Sequence, residues 1–155
     1  MYVFDTNVFI TLGYYYPSSF PTIWDRLTIL VKAEKLFSVK EVRKELEINC
    51  HFEYVEKWVK ENRHIFRIPT EEELKIVSDI FIKKKYCAIV KRKNLLNGWP
   101  VADPFVIAAA KVTDSFVVTQ ETLKPLGVSI PNICADLSVK YMNLESFFGM
   151  EGLRY

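Results

Sequence analysis

Four acidic residues, widely spaced along the chain, are the side chains best suited to carry chemistry. They are Asp5, Glu45, Asp103 and Glu121. Carboxylates that are brought together repel and raise one another's pKa values, and a divalent cation removes that penalty. Oxygen ligands without supporting Cys or His select Mg²⁺ or Mn²⁺ over zinc. Two such ions about 4 Å apart can clamp the attacking and leaving oxygens of a phosphodiester. Converging acids would therefore support metal-dependent phosphodiester hydrolysis.

Two of the acids follow short apolar segments that read as strands. Asp5 comes directly after Tyr2–Phe4, and Glu121 comes soon after the strand-like segment Ser115–Thr119. Open α/β folds place their active sites at the carboxyl ends of parallel strands. We therefore expect Asp5 and Glu121 at one edge of a sheet. A solvated loop acid remains the alternative for Glu121 taken alone.

The third acid stands at the start of an apolar helix. Asp103 precedes Pro104 and the segment Phe105–Val112. Asp at the N-cap with Pro at the first helical position is a complete structural explanation. However, so apolar a helix must be buried, and a buried carboxylate needs partners such as a metal ion. Capping and metal ligation can both hold, because they can use different oxygens.

The second acid lies on a predicted helix from Val39 to Ile48. At about 100° per residue, Glu45 falls roughly 90° from the centre of the apolar face of this helix. Glu41 and Glu47 are predicted to point further outward. Glu45 is therefore the glutamate best placed to reach inward, and a solvated side chain is its alternative role.

Short strands alternating with helices predict an α/β fold whose parallel sheet is covered on both faces. A short helix capped by Thr6 or Asn7 follows the first strand, and Thr70 with Glu73 has the spacing of a capping box. The other predicted elements are a helix after Pro21, a strand Leu36–Ser38, a helix over 51–65, a helix after Pro131 and a last strand Tyr141–Leu144. We find no repeat or linker, so residues 1–155 are expected to form one domain.

The composition is that of a globular protein and limits the possible cofactors. Half of the residues are hydrophobic, and the net charge of +2 does not by itself identify a polyanionic partner. Three widely separated cysteines disfavour a disulfide framework and a thiolate zinc site, so a reducing, cytoplasmic location is expected. No signal peptide is visible, and no apolar run has the length of a membrane span.

The segments around the four acids resemble the motifs of PIN-domain nucleases. These segments are Val3-Phe4-Asp5-Thr6-Asn7-Val8-Phe9-Ile10, Val42-Arg43-Lys44-Glu45-Leu46, Ala102-Asp103-Pro104-Phe105-Val106-Ile107-Ala108-Ala109-Ala110 and Val117-Val118-Thr119-Gln120-Glu121. The resemblance implies a single PIN-like domain over residues 1–155, with a three-layer α/β fold in which helices flank a central parallel sheet. The size is similar to the toxin-like branch that includes VapC ribonucleases.

The resemblance also implies an activity, a cofactor and partners. It implies a Mg²⁺- or Mn²⁺-dependent endoribonuclease that leaves a 5′-phosphate and a 3′-hydroxyl. It further implies a homodimer and inhibition by a cognate antitoxin, as in a toxin–antitoxin pair. The residues that carry over as catalytic metal ligands are Asp5, Glu45, Asp103 and Glu121, with Asn7 and Thr119 as supports.

The fourth motif departs from the resemblance. Its usual form is Thr-x-Asp, whereas this chain has Glu121 after Thr119. A glutamate is one methylene longer, so it can ligate through water or serve a weaker second site. The number of metal ions and the level of activity are therefore open, and Asp114 and Asp136 are the possible substitutes.

Two basic clusters and a run of tyrosines are candidate substrate contacts. The clusters are Lys83, Lys84, Lys85 and Lys91, Arg92, Lys93. They can contact the RNA backbone or form a solvated helix face. Residues 14–16 are three consecutive tyrosines, which can stack on unpaired bases or pack against the protein.

Two other functions remain open at this point. A non-catalytic PIN-fold module would bind RNA or a protein without cutting, and Glu121 gives that alternative weight. A phosphatase would use Asp5 as a nucleophile, but the halo-acid type needs a second acid two residues further on. That position holds Asn7, which counts against the phosphatase.

Overall fold

The computed structural model describes residues 1–83 and 101–153. Of the two basic clusters, only Lys83 falls in these ranges, and its side chain is exposed. The other five basic residues lie outside the described residues: Lys84, Lys85, Lys91, Arg92 and Lys93.

The described residues contain a parallel sheet of five strands in the order β3-β2-β1-β4-β5. The strands are β1 Tyr2–Phe4, β2 Leu36–Val39, β3 Phe66–Arg67, β4 Phe116–Val118 and β5 Tyr141–Met142. β1 is central and pairs with β2 on one side and β4 on the other. The α/β fold with a central parallel sheet flanked by helices is therefore confirmed.

The helices connect the strands and cover the sheet. Their bounds are α1 Thr6–Leu12, α2 Pro21–Lys32, α3 Lys40–Asn49, α4 Glu53–Glu61, α5 Glu71–Ile82, α6 Asp103–Val112, α7 Ile130–Asp136 and α8 Leu144–Met150. α5 begins with the predicted capping box, in which the Thr70 hydroxyl accepts from the Glu73 amide and the Glu73 carboxylate accepts from the Thr70 amide.

The helix predicted over residues 51–65 is shorter than expected. α4 ends at Glu61, a 3₁₀ turn spans Arg63–Ile65, and β3 follows. β3 exists because Phe66 pairs with Ser38 on the edge of β2. A pairing between residues so far apart in sequence leaves no local periodicity, so no sequence pattern indicated β3, which begins directly after the predicted helix.

β1 and α6 form the centre of the core and carry two of the acids at their ends. Val3 and Phe4 are fully buried, as are Ile107 and Ala108 of α6. α6 packs against β1, β2 and β4. Fully burying a large apolar side chain contributes about 1.5–3 kcal/mol. Asp5 and Asp103 are therefore attached to two well-packed, buried elements.

The turn that follows α1 separates the three tyrosines. Tyr15 is half-buried and packs edge-on against Phe20 and Phe148. Tyr14 and Tyr16 are 68% and 56% exposed. Packing is thus the role of Tyr15, whereas the rings on either side of it are accessible to a ligand.

Across residues 1–83 and 101–153, none of the helices has both the length and the apolar character needed to cross a bilayer.

Candidate metal centre

Asp5 lies where β1 ends and α1 begins. Its carboxylate is almost fully buried, with 3% of the residue exposed. Oδ1 accepts a hydrogen bond from the Thr6 amide at 2.6 Å, and Oδ2 accepts one from the Thr119 hydroxyl at 2.9 Å. Asp5 is therefore the N-cap of α1, and the prediction that Thr6 or Asn7 caps this helix is wrong. The reason is that Asp5 keeps the extended backbone of the strand, whereas helical geometry starts at Thr6.

Asn7 and Thr119 join α1 to the end of β4. The Asn7 side-chain amide donates to the Thr119 hydroxyl at 3.3 Å, and its carbonyl oxygen accepts from the Gln120 amide at 2.8 Å. The Thr119 hydroxyl also accepts from the Glu121 amide at 3.1 Å. Thr119 thus contacts Asp5 directly, and Asn7 contacts Thr119. The supporting role of both residues stays a prediction.

Asp103 is the first residue of α6 and is half-buried. The prediction that it caps this helix is wrong, because the N-cap is Ala102. The backbone of Ala102 is already in the helical region, so the Asp103 side chain lies beyond the position from which a cap accepts. The hydrogen bond that lowers the pKa of Asp103 comes from its own backbone amide, so its carboxylate caps no other residue of α6.

Glu45 is half-buried on α3 and reaches inward, as predicted. Its Oε2 accepts from the Thr6 hydroxyl at 2.5 Å, and its Oε1 accepts from the Ala102 amide at 2.9 Å. Sequence analysis missed the role of Thr6, which it treated only as a possible cap. The available signal was a hydroxyl directly beside the acid that ends β1.

Glu41 is not directed outward as predicted, because only 7% of it is exposed. It lies in the first turn of α3, near enough to Glu73 of α5 to raise the pKa of that carboxyl. The outward placement assumed that only one face of α3 is covered, whereas α3 also packs against β3 and α4.

Glu121 is half-buried in the segment after β4. Its Oε2 accepts from the Ile130 amide at 2.8 Å, at the start of α7. Of the proposed substitutes, Asp114 is exposed and forms an ion pair with Lys140 at 2.8 Å, which lowers its pKa. Asp136 is exposed at the end of α7. Glu121 is therefore the acid of this part of the chain that faces the site.

The charges of neighbouring acids act on Asp5 and on Asp103. The pKa of Asp5 is raised to about 7, mainly by burial and further by the charges of Glu121 and Glu45, against the hydrogen bonds from Thr119 and Thr6. The pKa of Asp103 is raised well above its ordinary value by burial and by the charges of the other three acids. Burial likewise raises the pKa of Glu45. The segments thus converge at the carboxyl edge of the sheet.

The chemistry of this cluster fits a hard divalent cation, although the side chains are not closed around one. Buried carboxylates that raise one another's pKa gain most from a positive charge between them. In the described ranges, no three His, Cys, Asp or Glu side chains could hold a metal ion as they stand. An ion would therefore have to draw the carboxylates closer together than they lie here.

Thr119 provides a test of how strongly the site depends on its hydrogen bonds. We expect Thr119→Val to weaken Mn²⁺ binding at this cluster by about 10-fold to 100-fold, as loss of a supporting hydrogen bond commonly does. The valine has a similar volume but cannot donate to Asp5 Oδ2. Titration of Thr119→Val and Thr119→Ser with Mn²⁺ checks this, and the serine variant should retain most of the affinity. Equal affinity of the valine variant and the wild type would show that the bond is dispensable.

Comparison with known proteins corrects the expected family. No curated protein sequence matches the chain. The prediction of a PIN-domain family member is wrong, because the family model that matches is a different one. Four short acidic motifs indicate that carboxylates lie at one edge of an α/β sheet. Such motifs do not define a family by themselves. The match extends over residues 2–155, and the chain therefore belongs to the family described as a domain of unknown function, DUF4411.

Proposed function

We propose that this protein is a Mg²⁺- or Mn²⁺-dependent endoribonuclease that hydrolyses RNA phosphodiester bonds. The observation that carries the proposal is the convergence of Asp5, Asp103, Glu45 and Glu121 from four separate segments on one edge of the sheet. Buried like charges are costly, and proteins retain them chiefly where function needs them. Oxygen donors alone favour a hard divalent cation.

The residues that would hold the ion are Asp5, Asp103 and the oxygen of Glu121 that does not accept from Ile130. A bound divalent ion supplies an activated water and neutralises charge on the phosphate. The chain itself contributes orientation. The Thr6 amide and the Thr119 hydroxyl fix the two oxygens of Asp5, and α6, which begins with Asp103, packs against β1.

Exposed aromatic rings and an exposed lysine support single-stranded RNA as the substrate. Tyr14 and Tyr16 present exposed rings, each supported from behind by an aromatic neighbour, Phe52 and Tyr54 respectively. Supported rings of this kind can stack on unpaired bases. The exposed Lys83 begins the first basic cluster, which would attract the RNA backbone.

The test is digestion of a labelled single-stranded RNA by the wild-type protein. We expect cleavage with millimolar Mn²⁺, none after addition of EDTA, and products with a 5′-phosphate and a 3′-hydroxyl. A single-stranded DNA of the same sequence should be cleaved more slowly. Cleavage that persists in EDTA, or equal rates on both polymers, would contradict the proposal.

A non-catalytic binding module is the second candidate. One observation favours it: Glu121 already accepts a hydrogen bond from the Ile130 amide, which reduces its capacity to ligate a metal. This candidate predicts RNA or protein binding without metal-dependent turnover. A gel-shift assay in EDTA, run beside the digestion in Mn²⁺, separates the two functions.

The remaining expectations concern the location of the protein, its biological role and its partners. We propose a cytoplasmic protein, which the two free, buried cysteines Cys50 and Cys134 support. A toxin role, a cognate antitoxin and a homodimer stay predictions. Light scattering on the purified protein tests the homodimer, and co-purification with the product of the adjacent gene tests the antitoxin.

A further inference from the structure

The two carboxylate oxygens of Glu45 contact the neighbours of the two central acids. Oε2 accepts from the Thr6 hydroxyl at 2.5 Å, and Oε1 accepts from the Ala102 amide at 2.9 Å. Thr6 directly follows Asp5, and Ala102 directly precedes Asp103. The single side chain of Glu45 therefore connects the start of α1 to the start of α6.

We propose that Glu45 is a positioning residue that sets the separation of Asp5 and Asp103 by bridging Thr6 and Ala102, and that it does not touch the metal ion. This inference rests on the proposed function. It gives Glu45 a different role from the metal ligand that the sequence predicted. It also assigns a role to Thr6, because its hydroxyl is the side-chain donor to Glu45, whereas Ala102 donates through its backbone amide.

The contacts of the acids support this division of roles. Both oxygens of Glu45 are used by charge-assisted hydrogen bonds, which are about twice as strong as neutral ones. Asp5 also accepts at both oxygens, but its donors are the Thr6 amide and the Thr119 hydroxyl, and neither belongs to α6. The two donors to Glu45 flank both central acids. To ligate an ion, Glu45 would have to give up part of the link between α1 and α6.

A glutamine at position 45 can keep both hydrogen bonds of the bridge, but it cannot serve as a carboxylate ligand. In Glu45→Gln, the side-chain carbonyl oxygen can accept from the Ala102 amide. The side-chain NH₂ can donate to the Thr6 hydroxyl, which can accept as well as donate. A neutral amide is a much poorer partner for a divalent cation than a carboxylate. Glu45→Gln should therefore preserve a positioning role and impair a ligand role.

The experiment measures Mn²⁺ dissociation constants by electron paramagnetic resonance on the full chain, together with cleavage rates at saturating Mn²⁺. We expect Glu45→Ala and Thr6→Val each to lose about 10-fold to 100-fold in Mn²⁺ affinity or turnover, the range for residues that orient metal ligands. Glu45→Gln and Thr6→Ser should each lose less than about 10-fold. Because both alanine and valine break the same bridge, Thr6→Val should add little in the Glu45→Ala background.

A matched control lies on the same helix. Glu47→Gln also removes a carboxylate from α3, but Glu47 is 63% exposed and forms its ion pair with Arg43. It should bind Mn²⁺ and cleave as the wild type does. If Glu45→Ala does not fold, Glu45→Gln and the two Thr6 variants carry the comparison.

Loss of Mn²⁺ affinity in Glu45→Gln as large as that in Asp103→Asn would overturn the inference, because it would make Glu45 a direct ligand. Additive losses in the double variant would overturn the bridge. Failure of the proposed function gives a different result. In that case the wild type neither binds Mn²⁺ nor cleaves RNA, and Asp103→Asn is indistinguishable from it.

Discussion

Asp103→Asn is expected to abolish Mn²⁺-dependent RNA cleavage, with a loss in turnover of at least about 1000-fold. The estimate follows because metal-assisted charge stabilisation is worth several kcal/mol, and about 4 kcal/mol corresponds to that factor. The amide retains the shape of the side chain and removes its charge. Cleavage rates under single-turnover conditions, at matched protein concentration, check the prediction.

The same substitution should stabilise the metal-free fold. The pKa of Asp103 is raised by burial and by the charge of Asp5, so ionised Asp103 opposes folding at neutral pH. In EDTA at pH 8 we therefore expect Asp103→Asn to melt a few degrees above the wild type, and Mn²⁺ to add no further stability. Loss of activity with a gain in stability distinguishes removal of a ligand from damage to the fold.

Asp114→Asn is the matched control for this pair of results. It makes the same chemical change at an exposed aspartate that pairs with Lys140. It should leave cleavage and the Mn²⁺ response unchanged. An equal loss of activity in both variants, or full activity of Asp103→Asn, would contradict the assigned role of Asp103.

The metal-free protein is expected to lose stability as the pH rises from 5 to 8. The pKa of Asp5 is about 7 in the folded protein against an ordinary value of 3.8. Between these values the folded state keeps a proton that the unfolded state has released, so folding is favoured at the low end of the range and less favoured at the high end. Integrated from pH 5 to about 7, the change is roughly 3 kcal/mol.

The raised pKa of Asp103 acts in the same direction. For a chain of this length, a loss of about 3 kcal/mol in the free energy of unfolding corresponds to a fall of about 10 °C in melting temperature. Thermal melts in EDTA at pH 5, 6, 7 and 8 measure this fall. Saturating Mn²⁺ should flatten the dependence, because a bound cation keeps the carboxylates ionised in the folded state.

Asp5→Asn provides the control for the pH dependence. The amide oxygen can still accept from the Thr6 amide, so the cap of α1 is retained. The bond from the Thr119 hydroxyl is lost, because that hydroxyl already accepts from Asn7 and Glu121 and cannot also accept from the new NH₂. The variant should show a smaller fall in melting temperature between pH 5 and 8. A wild-type melting temperature that is constant or rises over this range would show that the acids are not buried together.

Local patterns determined much of the fold before any coordinates were considered. β1, α2, the capping box of α5 and the apolar α6 each depend on contacts within a few residues, and each was predicted close to its actual position. The alternation of strands and helices then limited the sheet to a parallel one. The position of acids after β1 and β4 was likewise readable, because it depends only on where a strand ends.

The tertiary structure alone decided what the acids contact. β3 forms by pairing with β2, and Glu45 accepts from Thr6 and Ala102, which are 39 and 57 residues away in the sequence. No periodicity within one segment carries such information, because a hydrogen bond between distant segments depends on how both are packed. The sequence by itself determined that acids lie at the ends of buried elements. Only the packing of α1, α3 and α6 on the sheet decided that the charge of Asp5 acts on Asp103 and that Glu45 bridges their neighbours.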